Sequence, residues 1–325
     1  MTRRTALKTL AAASSAAVAA APAARAAAAD RTWAERLGWR AGEVVGIFHV
    51  DDVGMHHAAN RGAIASHEQG VGNSWALMMP CPWVPEIVKY LRAHPEVDAG
   101  LHLTLNSEWV PYRWGPVAGA AAVPGLVGDG GGLWRSVPQG IQKASADEVE
   151  REIRAQLARA ERLGLPVTHL DSHMGALFAR PDYFERWLRV ATEKRLPLLA
   201  PGGHRTHVSR SHPDASQALP AVVQQVWDAG LPVIDDLHTG AYEGPPEART
   251  EWLLKVLAEL KPGITEILFH SSIPTDDFPL VTHSHAARLS DTRALTDPRV
   301  RQLLADRGIQ RTTWRELMER RRQAG

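Results

Sequence analysis

The chain has 325 residues, with 37 Lys and Arg against 36 Asp and Glu. That length suits one large domain with its own core, and the near-zero charge balance argues against nucleic acid as a partner, since such binding needs clustered positive charge. A lone cysteine, Cys81, rules out an intrachain disulfide and a cysteine-rich metal site, so any metal must be held by His, Asp or Glu.

The first residues, Met-Thr-Arg-Arg-Thr-Ala-Leu-Lys, set Arg3 and Arg4 ahead of an apolar, Ala-rich stretch over residues 9–21, with Ala24-Arg25-Ala26 as a small-residue cleavage site. This pattern reads as a twin-arginine export signal over residues 1–28 and implies a periplasmic or secreted protein. No later run reaches the roughly 18 apolar residues of a membrane span. Residues 29–325 contain no linker, repeat or compositional break, and read as one domain.

Glu43 to Val50 is a short apolar run bounded by turn-prone residues, which predicts a buried strand, and Ala58 to Gln69 then reads as a helix. Further strand-like runs fall near Ser74–Met79, Asp98–Leu105, Pro166–Leu170, Leu196–Ala200, Pro232–Asp236 and Ile264–Phe269. Helical patterns separate them at Asp147–Leu163, with Ser145 as N-cap, at Pro181–Lys194 and at Ala248–Leu260. This alternation predicts an α/β fold, a parallel sheet with helices outside, closing into a distorted or incomplete barrel. The Gly- and Pro-rich stretch from Asn106 to Lys143 is long enough for a lid or a substrate wall.

Ionisable residues gather at the C-terminal ends of these runs: Asp51 and Asp52, His102, the trio His169, Asp171 and His173, and His270. In a parallel barrel those ends share one rim, so distant positions converge. Neighbours on an extended segment point in opposite directions, so Asp51 and Asp52 are expected to do different jobs, one as a ligand and one as a base. His169, Asp171 and His173 alternate along one face, and burying all three without a counter-charge would be costly. One carboxylate with two imidazoles leaves coordination positions open for water, as a catalytic divalent ion requires. His270 is placed to pass a proton to a leaving amine.

Trp (11) outnumbers Phe (5) and Tyr (4) together, and Trp75, Trp83, Trp109, Trp114 and Trp134 fall in one third of the chain. Flat indole faces suit sugar rings, so Trp109 is a candidate substrate contact, core packing being the ordinary alternative. Asp235-Asp236-Leu237-His238 repeats the acidic-pair-and-histidine theme, and Asp235, Asp236 and His238 are candidate substrate contacts. His204, His207 and His212 are expected in an exposed loop without function.

At His49-Val50-Asp51-Asp52-Val53-Gly54, Gly100-Leu101-His102-Leu103-Thr104-Leu105, Thr168 to His173 and Glu266 to His270, the sequence resembles the YdjC-like carbohydrate deacetylases, including chitooligosaccharide deacetylases. The motifs occur in family order over roughly residues 43–275. The resemblance implies one divalent metal, Zn or Mg, on Asp52, His102 and His173, with Asp51 as base and His270 near the leaving group. It implies removal of N-acetyl from a small carbohydrate. Departures are His-Val where the family has Asn-Ala before the acidic pair, Met174-Gly175 where further His is common, and Ser271 where a Pro is common. Two other readings use the same residues: a different metal-dependent acyl hydrolase, and an exported sugar-binding protein with a structural metal. Either is compatible with an oligomer.

Overall fold

The computed structural model describes residues 31–324 apart from 212, 241 and 243. The expected export signal, residues 1–28, lies outside the described residues. Seven strands form one sheet: β1 (Val44–Val53), β2 (Ser74–Leu77), β3 (Asp98–Leu103), β4 (Leu170–Ser172), β5 (Asp236–His238), β6 (Gly263–Phe269) and β7 (Gln310–Arg311). They pair in parallel in the order β4-β3-β2-β1-β6-β5, with β7 against the start of β1. On β1, successive residues Ile47 and Phe48 are both fully buried, as expected of a parallel strand covered on both faces.

The run Leu196–Ala200, expected as a strand, makes only single bridges, Leu198 to Leu170 on one side and Pro201 to Ile234 on the other. Pro197 and Pro201 lack the N–H that a ladder needs. The strand expected over Pro232–Asp236 is displaced to Asp236–His238, again beyond a proline. These bridges link the sheet edges at β4 and β5, so the curled sheet wraps into a distorted barrel.

Helices cover the outside. Ala146–Arg162 begins with a reciprocal capping box between Ser145 and Glu148, and Val149, Ile153, Leu157 and Ala160 form its buried stripe. Glu148, Glu152 and Gln156 of the same helix are also buried. Glu152 accepts from the amides of Val117 and Ala118, while Gln156 donates to the Thr104 carbonyl and accepts from the Thr104 amide. These bonds pin the long segment after β3 as a fixed wall, and its first residues carry Glu108 and Trp109 to the barrel rim. Pro213–Asp228 is a helix that sequence patterning did not indicate. His207, expected in an exposed loop, is buried against His238.

Candidate metal centre

The register between β1 and β2 slips between Val50 and Val53, so β1 carries one extra residue there. Asp52 takes φ 59° and Gly54 φ 90°. A bulge of this kind turns the strand and re-aims its side chains. Alternation would send Asp51 and Asp52 to opposite faces; with the bulge, both line one cavity of about 1000 Å³. His102, Glu108, Trp109, His173, His270 and Arg288 line it too.

Three expected ligands meet there. Asp52 Oδ1 lies 3.4 Å from His102 Nε2 and 3.3 Å from His173 Nδ1. One ligand atom from each residue falls within 4.8 Å of the other two. Asp52 Oδ1 is buried and has no hydrogen-bond partner, which is costly for a carboxylate unless a cation meets it. The far nitrogen of each imidazole is tied to a carboxylate: His102 Nδ1 to Asp171 at 2.6 Å and His173 Nε2 to Glu108 at 3.1 Å. Such outer partners orient metal-binding imidazoles. The residues therefore fit a divalent ion with two nitrogen donors and one oxygen donor.

His102 and Asp171 are register partners across β3 and β4, so sheet pairing itself brings the imidazole and the carboxylate together. His173 follows β4 in a tight turn in which Met174 and Gly175 adopt φ 51° and 66°. Gly100 lets β3 approach closely, because a Cβ there would lie 2.5 Å from the His169 ring. His169 packs edge-on against His49, with ring centroids 5.1 Å apart, and is not in the cluster of Asp52, His102 and His173.

Electrostatics follow from burial and partners. Burial opposes ionisation of Asp52, but Arg288, whose guanidinium donates to Asp52 Oδ2 at 2.6 Å, and the two facing imidazoles hold the carboxyl well below its usual range. For His173, burial disfavours charge, yet Glu108 and Asp52 outweigh it and lift the ring to about 9. Asp51 behaves differently. Burial raises its proton affinity above an ordinary carboxyl, against the pull of His102 and His49. Its Oδ1 stands 3.1 Å from His49 Nε2, and His49 reaches Glu266 at 3.1 Å through its other nitrogen. His49, Asp51 and Asp171 form a second buried cluster with metal-compatible spacing. His270 lies 3.9 Å from Asp52 Oδ2 and stacks on Tyr242 at 4.9 Å. Burial lowers its pKa to about 3; Asp52 opposes this and Arg288 reinforces it.

The other candidates fall elsewhere. Asp235 accepts from the amides of Trp33, Ala34 and Ile264, and Asp236 from those of His207 and Val208. His238 is buried against His207 and Trp252. Among the described residues that line the cavity, Asp235, Asp236 and His238, the expected substrate contacts, do not appear. Trp109 does line the cavity, whereas Trp75 and Trp114 are core residues. Sequence reading missed Arg288, Glu108 and Tyr242. Arg288 sits in a helix, His285–Thr296, with no pattern to mark it.

The model of the YdjC-like protein family matches residues 47–306. The chain belongs to that family. A carbohydrate deacetylase of Thermus thermophilus is 34% identical over 285 residues, covering 88% of this chain and 97% of the relative. A carbohydrate deacetylase of Thermoanaerobacter pseudethanolicus is 25% identical, covering 82% and 97%. Among solved structures, an Enterococcus faecalis protein named for cellobiose-phosphate cleavage superposes with a TM-score of 0.68 at 22% identity, over 85% of this chain and 99% of its own. That likeness shows that this YdjC-like chain shares its fold.

Proposed function

We propose that the protein is a metal-dependent carbohydrate deacetylase that hydrolyses the N-acetyl amide of a small amino sugar or its oligomer. The observation that carries this reading is the orphaned, buried Asp52 Oδ1 facing His102 Nε2 and His173 Nδ1 at 3.4 and 3.3 Å. Relatives named carbohydrate deacetylases support the substrate class. A divalent cation, which Asp52, His102 and His173 would hold, would supply Lewis acidity toward an acyl carbonyl and activation of water near neutral pH. Two imidazole donors favour zinc over magnesium, which prefers oxygen ligands.

The chain's own residues divide the remaining work. Asp171 and Glu108 keep the His102 and His173 rings turned toward Asp52. Asp51, with its raised proton affinity, is suited to take a proton from water as general base. His270 lines the same cavity, 3.9 Å from Asp52 Oδ2, where it is placed to pass a proton to the departing amine. Trp109 presents a partly exposed indole face at the cavity wall, a surface on which a sugar ring can rest.

The test is acetate release from N-acetylglucosamine oligomers by purified protein, with and without a chelator. Release that a chelator stops and zinc restores is expected. Saturable sugar binding without turnover in the zinc-loaded protein would overturn the reading.

A further inference from the structure

The cavity that holds the metal-ligating residues is far larger than the chemistry requires. About 1000 Å³ stands at the upper end of small-molecule sites, which run from roughly 300 to 1,000 Å³. Its wall also carries a group of apolar side chains beside the polar ones. Asp52, His102 and His173 come from β1, β3 and the turn after β4, on one arc of the barrel. Leu199, Leu237 and Leu268 come from the bridging segment, β5 and β6, on the other arc, together with Leu219 and Val222 of the helix Pro213–Asp228 and with Phe178, which ends the turn begun by His173; His270 after β6 and Gln225 of the same helix are polar residues among them.

The six apolar side chains carry no hydrogen-bonding group. A second or third sugar pressed against them would leave hydroxyls desolvated and unpaired. Arg180, Glu185 and Gln225 also line the cavity, so it is amphiphilic as a whole. Met174, beside the ligand His173, lines it as well and is 57% exposed. An acetyl group is too small to cover such a wall, which leaves apolar surface for the remainder of the substrate.

We propose that the substrate is an amino sugar bearing an alkyl or aryl aglycone, and that the apolar arc formed by Phe178, Leu199, Leu219, Val222, Leu237 and Leu268 receives that aglycone. This rests on the deacetylase reading above. The sugar and its N-acetyl group lie at the polar arc, and the aglycone extends away from the ligands between β5, β6 and the helix Pro213–Asp228. No new covalent step is involved; the apolar arc acts through binding.

The zinc-loaded protein is to be assayed for acetate release from the hexyl glycoside of N-acetylglucosamine, from N-acetylglucosamine dimer and from N-hexanoylglucosamine. The hexyl glycoside is expected to exceed the dimer in kcat/KM by at least about tenfold, a modest share of what burying several methylenes provides. V222W, which fills the arc without burying charge, and L268Q are expected to bring the two within about threefold. Stabilisation against heat by hexyl glucoside, which has no amide, gives a second readout and is expected in the native chain but not in V222W. Equal kcat/KM for glycoside and dimer, undiminished stabilisation in V222W, or preference for N-hexanoylglucosamine would each overturn the proposal. Binding of hexyl glucoside that V222W abolishes, with no acetate from any substrate, would sustain the apolar site and reject the deacetylase reading.

Discussion

A non-glycine residue at φ 59°, as at Asp52, costs about 1–3 kcal/mol and persists only when its surroundings hold it. Here Arg288 takes one carboxylate oxygen and leaves the other free toward two imidazoles. Asp52→Ala, His102→Ala and His173→Ala are each expected to lower zinc content and activity together. Asp51→Asn is expected to keep zinc and reduce kcat by about 10²–10⁴-fold, the usual contribution of a general base. Metal analysis beside steady-state kinetics checks both, and full zinc occupancy in the Asp52→Ala protein would strike Asp52 from the ligands. The residue types were legible because few amino acids can bind a cation when Cys is almost absent. Arg288 was not, since an arginine in a helix looks like any surface arginine until the helix is docked over the barrel mouth.

At the scale of elements, Asp235 ties three backbone amides from the first described turn and from β6 to one carboxylate. Asparagine keeps only one carbonyl oxygen and turns an amide group toward those donors. Asp235→Asn is therefore expected to destabilise the fold by about 1–3 kcal/mol, seen as a lower denaturant midpoint, with KM unchanged; a raised KM at native stability would restore Asp235 as a substrate contact. His238 belongs to the same region. Burial, then the nearby His207 and Arg249, lower its pKa from 6.5 to about 4, with Asp236 opposing. The folded chain then binds this proton less readily than the unfolded one, so the stability it contributes is present above pH 6.5 and lost as pH falls toward 4. Replacing His238 by Gln should flatten that part of the stability profile, measured by urea titration across the range. Strong periodicity and caps made the helix Ala146–Arg162 readable, whereas the bridging segment at Leu198 was misread as a strand because an apolar run does not reveal that its flanking prolines prevent pairing.

For the whole molecule, a cation that binds the folded state alone adds stability by mass action, about 2.7 kcal/mol at a free concentration 100 times Kd. Zinc is thus expected to raise the melting temperature of the native chain and not of the Asp52→Ala variant; an equal rise in both would place the ion elsewhere. The proposed export signal is a property of the full chain. Arg3→Lys with Arg4→Lys is expected to keep the protein in the cytoplasm on cell fractionation, and unaltered export would end the twin-arginine reading. Among the described residues no helix is long and apolar enough to cross a membrane.

Chain order and residue chemistry were enough to name the parallel α/β class, the family resemblance and the side chains that meet at Asp52, because strand ends of one sheet must share a rim and few side chains bind cations. Folding in three dimensions settled the rest. A one-residue bulge in β1 turned both aspartates into the cavity, docking of the helix His285–Thr296 supplied Arg288, and the twin motif at Asp235 and Asp236 went to backbone amides. Each outcome depends on contacts between segments far apart in the chain, and such contacts leave no local periodicity to read.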